Sequence, residues 1–127
     1  MSIGIKAKNY VTGPLATLNT TAEWQFGVSI FQAYASAKLY IYTRDAYLNA
    51  ISVDDGKLQA LIYNEDSVDP YPFPDMTITR HETLNWIQVL SFTTGDPGKF
   101  NVYIKDSSLQ SIGSCPYRFQ VFEGKES

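Results

Sequence analysis

A chain of 127 residues with 44% apolar and 18% charged residues has the balance of one globular domain, not of a disordered tract. Its net charge of −3 and pI near 5.0 speak against a nucleic-acid footprint, which needs a clustered basic face. No apolar run approaches the ~20 residues that a bilayer-spanning helix needs, so no direct membrane insertion is expected of this segment, and Lys6 and Lys8 interrupt any signal-peptide core.

A domain of this size can bury roughly two thirds of its unfolded surface, so neither metal nor disulfide is needed for folding. The single cysteine, Cys115, rules out an intrachain disulfide. Aromatic residues reach 14%, and with the many Thr, Val and Ile they favour half-buried pleated surfaces and an all-β chain.

In chain order, residues 3–11 read as a first strand with Ile3, Ile5, Ala7 and Asn9 on one side, ended by Gly13-Pro14. Residues 14–36 show no clean period, and Trp24 to Phe31 fits either a strand or one short helix. Within them, Asn19-Thr20-Thr21 is an N-glycosylation sequon; if it is used, the domain is extracellular. From Lys38 the period is two: Leu39, Ile41 and Thr43 point one way, Tyr40, Tyr42 and Arg44 the other. Asp54-Asp55-Gly56 is a turn, since Asp side chains bond nearby backbone and Gly permits positive φ. Leu58, Ala60 and Ile62 then alternate with Gln59, Leu61 and Tyr63.

Residues 64–75 form a loop, because Pro70, Pro72 and Pro74 cannot donate to a ladder. Met76 to Arg80 reads as a short edge strand. Leu84 to Phe92 reads as a longer one, with Trp86, Leu90 and Phe92 on one face and Ile87 and Val89 on the other. Phe100, Val102 and Ile104 alternate next, and Tyr117, Phe119 and Val121 close the pattern. About seven short antiparallel strands separated by turns predict a β-sandwich. Their shared phase predicts a core of Leu39, Ile41, Leu58, Ile62, Leu90, Phe92, Phe100, Val102, Ile104, Phe119 and Val121.

Two segments resemble the hallmarks of a filamin-type immunoglobulin-like repeat. In the first, Leu39, Ile41, Thr43, Arg44, Asp45 and Asn49 match a strand and its turn, with Leu48 where the repeat has glycine. In the second, Gly98, Phe100, Val102 and Ile104 are followed by Ile112-Gly113-Ser114 and by Pro116, Tyr117, Phe119 and Val121, with Cys115 inserted before the proline. Gly13-Pro14-Leu15 resembles the start of the repeat, so the likeness covers about residues 13–122. It implies an immunoglobulin-like sandwich over residues 1–127, a single domain and one repeat of a larger protein. It also implies a non-catalytic module that binds, spaces or adheres, with a protein or peptide partner or neighbouring repeats. In such repeats the third and fourth strands border a groove where a peptide adds as an extra strand. Leu61 and Tyr63 on one wall and Met76 and Ile78 on the other hold those places here. The alternative is that the proline-rich loop simply covers this edge.

Repeats of this type occur in cytoplasmic actin cross-linkers and in cell-surface proteins such as plant gamete-adhesion proteins. The sequon at Asn19 and the Tyr- and Thr-rich strands tilt the expectation towards the cell surface.

No catalytic motif stands out, so an enzyme is not expected. His81, the only histidine, lacks a recognisable nucleophile or carboxylate neighbour and reads as a turn residue. Cys115 lacks a Cys/His signature and reads as a packed thiol. The acidic stretch Glu65 to Asp75 has no EF-hand spacing, so no metal or other cofactor is expected. Trp24 and Trp86 with the nine tyrosines leave a carbohydrate-binding sandwich as the rival function, since aromatic faces can stack on sugar rings.

Overall fold

The computed structural model describes residues 13–113 and 115–123, so the strand expected at residues 3–11 lies outside the described residues. Eight strands make two four-stranded sheets. They are β1 (Thr21–Trp24), β2 (Ile30–Gln32), β3 (Ser36–Tyr42), β4 (Gln59–Asn64), β5 (Thr77–Arg80), β6 (Ile87–Thr93), β7 (Gly98–Lys105) and β8 (Tyr117–Phe122). One sheet runs β1-β3-β6-β5 and the other β2-β8-β7-β4. All pairings are antiparallel except β2 with β8, which run parallel.

The segment without a clean period resolves into β1, a 3₁₀ turn (Gln25–Gly27) and β2. It reads ambiguously because the chain changes sheets here. Phe26 and Gly27 both take positive φ (58° and 68°) to make the crossing. This breaks any two-residue alternation.

Period-two burial elsewhere follows the expected phases. Every residue expected in the core is buried, none more than 4% exposed. Phe100 stacks on Phe119 with ring centroids 5.0 Å apart and planes 12° from parallel. Trp24 meets Phe31, Phe92 and Phe119 edge-on. Such aromatic pairs add to what area burial alone provides.

Two details of the strand expected over Leu84 to Phe92, which is β6, change. It begins at Ile87, because Leu84–Trp86 form a turn closed by the Ile87 amide donating to the Leu84 carbonyl (3.0 Å). Trp86 is therefore half-exposed beside the strand, and its place on the inward face is continued by Gln88. Gln88 is fully buried, and its Nε2 donates to the Val53 carbonyl (2.6 Å).

Three threonines are buried as staples between backbone segments. Thr20 accepts from the Arg44 amide and donates to the Ala16 carbonyl. Thr43 donates to the Ile51 carbonyl (2.6 Å), with the Trp86 carbonyl 2.9 Å away. Thr94 accepts from the Ala35 amide and donates to the Gln32 carbonyl. A hydroxyl with both partners in place is tolerated in a core, because burying it unpaired is what costs.

Candidate functional site

β3 ends in a turn organised by one carboxylate. Asp45 is fully buried, and its Oδ1 accepts from the Tyr47 and Asn49 amides (2.9 Å each). Its Oδ2 accepts from the Gly13 amide (2.9 Å) and the Asn49 side-chain amide (3.0 Å). Burial pushes its pKa up, but the Asn49 side chain and the Gly13, Asn49 and Tyr47 amides outweigh that. They hold the carboxyl at about 2, against an ordinary 3.8. The shift marks a structural clasp, since both carboxylate oxygens are taken up by the turn's own amides, the Asn49 side chain and Gly13. Leu48, where the repeat pattern has glycine, takes φ 68°.

The second hallmark is equally physical. A side chain at Gly113 would place its Cβ 2.8 Å from the Leu18 carbonyl oxygen, so only glycine lets these backbones approach. At Gly98, φ is 153° and a Cβ would lie 2.9 Å from Asn64 Nδ2. The Tyr117 hydroxyl donates to the Gly113 carbonyl (2.7 Å) and anchors the start of β8 after Pro116.

β4 and β5 are the edge strands on one side of the sandwich. Leu61 and Tyr63 face outward, opposite the buried Ala60 and Ile62. The loop of residues 65–75 returns along β4: Pro70 bridges Tyr63, and the Tyr71 amide donates to the Ile62 carbonyl (2.7 Å). Phe73, 7% exposed, plugs the gap between the sheets against Phe92 and Phe100. Met76 and Ile78 pack inward against this cluster. The Arg80 amide, on the outer edge of β5, is capped by Asp55 Oδ1 (3.2 Å). The structure thus brings the two walls to one side, with the chain's own residues 70–73 lying between them. Sequence reading missed Phe73 and Tyr71 because three prolines mask any strand period around them.

Asn19, the sequon residue, sits in a 3₁₀ turn (Thr17–Asn19) and is partly exposed. Its Nδ2, the atom a glycan would modify, donates to the Asp45 (3.1 Å) and Ala46 (3.3 Å) carbonyls. His81 Nδ1 accepts from the Thr83 and Leu84 amides (3.2 Å each), so the imidazole caps a turn. Cys115 Sγ lies against β7, accepting from the Ile104 amide (3.4 Å), and burial pushes its thiol pKa up. Trp24 is turned into the core and Trp86 stands apart from it, so the two do not make one platform. Among the described residues, no three His, Cys, Asp or Glu side chains converge. Asp75 instead accepts from the Thr93 hydroxyl (2.6 Å) and amide (3.2 Å), tying the loop to β6.

The architecture has solved counterparts. The Lin-41 filamin domain superposes with a TM-score of 0.68 at 19% identity, covering 88% of this chain and all of that one. The fold is that of a divergent filamin-type immunoglobulin-like domain. The Escherichia coli adhesin FdeC matches this filamin-type sandwich with a TM-score of 0.66 at 19% identity, over 91% of this chain and 34% of that one. Among curated proteins, Protein GAMETE EXPRESSED 2 of Arabidopsis thaliana is 26% identical over 114 residues, 89% of this chain. The filamin-type domain spans 12% of that relative's length. No family model matches the chain.

Proposed function

We propose that this filamin-type domain is a non-catalytic interaction module that takes an extended segment of a protein partner at its β4–β5 side. The observation that carries the reading is the pairing already present on β4: the Tyr71 amide bonds the Ile62 carbonyl and Pro70 bridges Tyr63. A short, proline-interrupted stretch makes a poor permanent strand, and it occupies backbone groups that a partner strand would use. Leu61 and Tyr63 flank that edge on its outer face, while Met76 and Ile78 line the inner wall. The adhesin among the structural neighbours and the gamete-expressed relative support adhesion between cells as the setting.

The test is selection of peptides from a random display library on the folded chain, with the bound peptides mapped by amide NMR. The expected result is that shifts centre on residues 60–63 and 76–80, and that Leu61→Lys weakens binding with melting unchanged. Peptides that map elsewhere, or that bind the folded Leu61→Lys variant as well as wild type, would sink the reading.

A further inference from the structure

The outer face of the β2-β8-β7-β4 sheet has a composition unlike that of the whole chain. Lys99 and Lys105 on β7 and Arg118 on β8 share it, in a chain of net charge −3. No ion pair involves any of the three among the described residues; Arg118 Nε instead donates to Asn101 Oδ1 (3.3 Å). Lys99 and Lys105 stand six residues apart on one strand face, roughly 20 Å, with Arg118 beside Asn101 between them. At the β4 side of this face lies a hollow of about 330 Å³ lined by Tyr63, Asn64, Glu65, Ser67, Asn101, Tyr103 and Lys105, and Glu65 also lines the adjoining hollow with Lys99 and Arg118. The Tyr63 and Tyr103 rings meet at 82° with centroids 5.8 Å apart, forming two perpendicular walls.

We propose that this face binds an acidic polysaccharide, one that alternates charged and uncharged sugars. The ligand chemistry follows from the lining. Aromatic walls offer apolar faces to the C–H side of a sugar ring. The Asn101 amide nitrogen, the two phenol hydroxyls and the Glu65 carboxylate supply donors and acceptors for ring hydroxyls. Lys105, Arg118 and Lys99 give charge complementarity to sugar carboxylates or sulfates spaced along the chain. Glu65 opposes a dense polyanion, in which every unit is charged, and so favours sparse acidic groups over a nucleic acid. A polyanionic peptide would use the cations but not the aromatic walls. Tyr63 is shared with the proposed peptide edge and Tyr103 pairs with Leu61 of that edge, whereas Lys105 on β7 and Arg118 on β8 lie beyond it and separate the two readings.

The experiment titrates the folded chain with a hyaluronan hexasaccharide, in which charged and uncharged sugars alternate, reading amide NMR shifts and calorimetric affinity. Cellohexaose, a galacturonate hexasaccharide with a carboxylate on every unit, hexaglutamate and oligouridylate are run as controls. The expected result is that the hyaluronan hexasaccharide shifts Tyr63, Asn101, Tyr103, Lys105 and Arg118 and leaves Ser91 on the opposite sheet unmoved. Tyr103→Ala and Lys105→Ala each weaken binding about tenfold with melting preserved, while Ser91→Ala does not. No shift on this face at millimolar concentration of the hyaluronan hexasaccharide overturns the proposal. So does equal binding of cellohexaose, which would make the cations irrelevant, or of the galacturonate hexasaccharide, hexaglutamate or oligouridylate, which would reduce the site to bulk charge.

Discussion

At the scale of single residues, the turn after β3 concentrates the consequences. Asp45 has a folded pKa near 2 and an ordinary value of 3.8, so the unfolded chain binds its proton first as pH falls. Stability from this group is therefore complete above about pH 4 and is lost as pH falls through about 2. Asp75, held below the usual carboxylate range by its bonds from Thr93, acts in the same direction. Asp45→Asn keeps the size but gives up the acceptor pair, so it should lower stability at pH 7 and flatten the loss between pH 4 and 2. Urea titrations across that range check this; an unchanged acid limb would show that the clasp does not set it. Leu48 tests the opposite sign. A left-handed non-glycine residue costs roughly 1–2 kcal/mol and glycine's extra chain entropy about 0.5–1. Leu48 is exposed and little packing is lost, so Leu48→Gly should stabilise by roughly 0.5–1 kcal/mol. A lower denaturation midpoint would contradict this.

At the scale of elements, the largely exposed loop of residues 65–75 is anchored to the core through Phe73 and Tyr71. Phe73 touches Phe92 and Phe100 from opposite sheets, and Tyr71 stacks edge-on to Phe100. Phe73→Ala should cost about 3–5 kcal/mol as a cavity-forming change. It should also release the loop from β4 before the sheets open. Amide exchange at Tyr71 should then quicken far more than at Val102 and Phe119 in the β7–β8 ladder. Uniform quickening would mean that the loop and the sandwich open as one unit. The inward faces of β3 and β6 were legible from the alternation of Leu39, Ile41, Leu90 and Phe92, while their register, seven consecutive pairs from Ser36–Thr93 to Tyr42–Ile87, is set by the tertiary structure. The start of β6 was not legible, because the His81-capped turn leaves Trp86 in phase with the core but outside the ladder.

At the scale of the whole molecule, the two sheets close around one aromatic cluster and leave edges on both sides. The β1–β2 side is where the chain crosses between sheets; the β4–β5 side is spanned by residues 65–75. Asn19 bears on where such a molecule works. Its Nδ2 has two hydrogens, donated to the Asp45 and Ala46 carbonyls, and a glycan would replace one. Produced in a eukaryotic secretory host, the chain should yield an Asn19 peptide heavier by a glycan in mass spectrometry. A peptide found wholly unmodified would remove the sequon from the case for the cell surface.

What the sequence by itself determined is what depends on local period and on single-residue stereochemistry. The alternating strands dictated the core from Leu39 to Val121, Asp45 and Asn49 marked the turn after β3, and Asp54-Asp55-Gly56 marked another, which closes through the Lys57 amide on the Asp54 carbonyl with Gly56 at φ 90°. The tertiary structure alone decided what depends on contacts between distant segments. Gly113 is glycine because the Leu18 carbonyl lies against it, and Thr20, Thr43 and Thr94 are buried because distant backbones meet at their hydroxyls. Phe73 enters the core from a loop, and Lys99, Lys105 and Arg118 come together because β7 and β8 pair in one register. Each of these is a pairing across many residues of chain, and a one-dimensional pattern carries no distance between its parts.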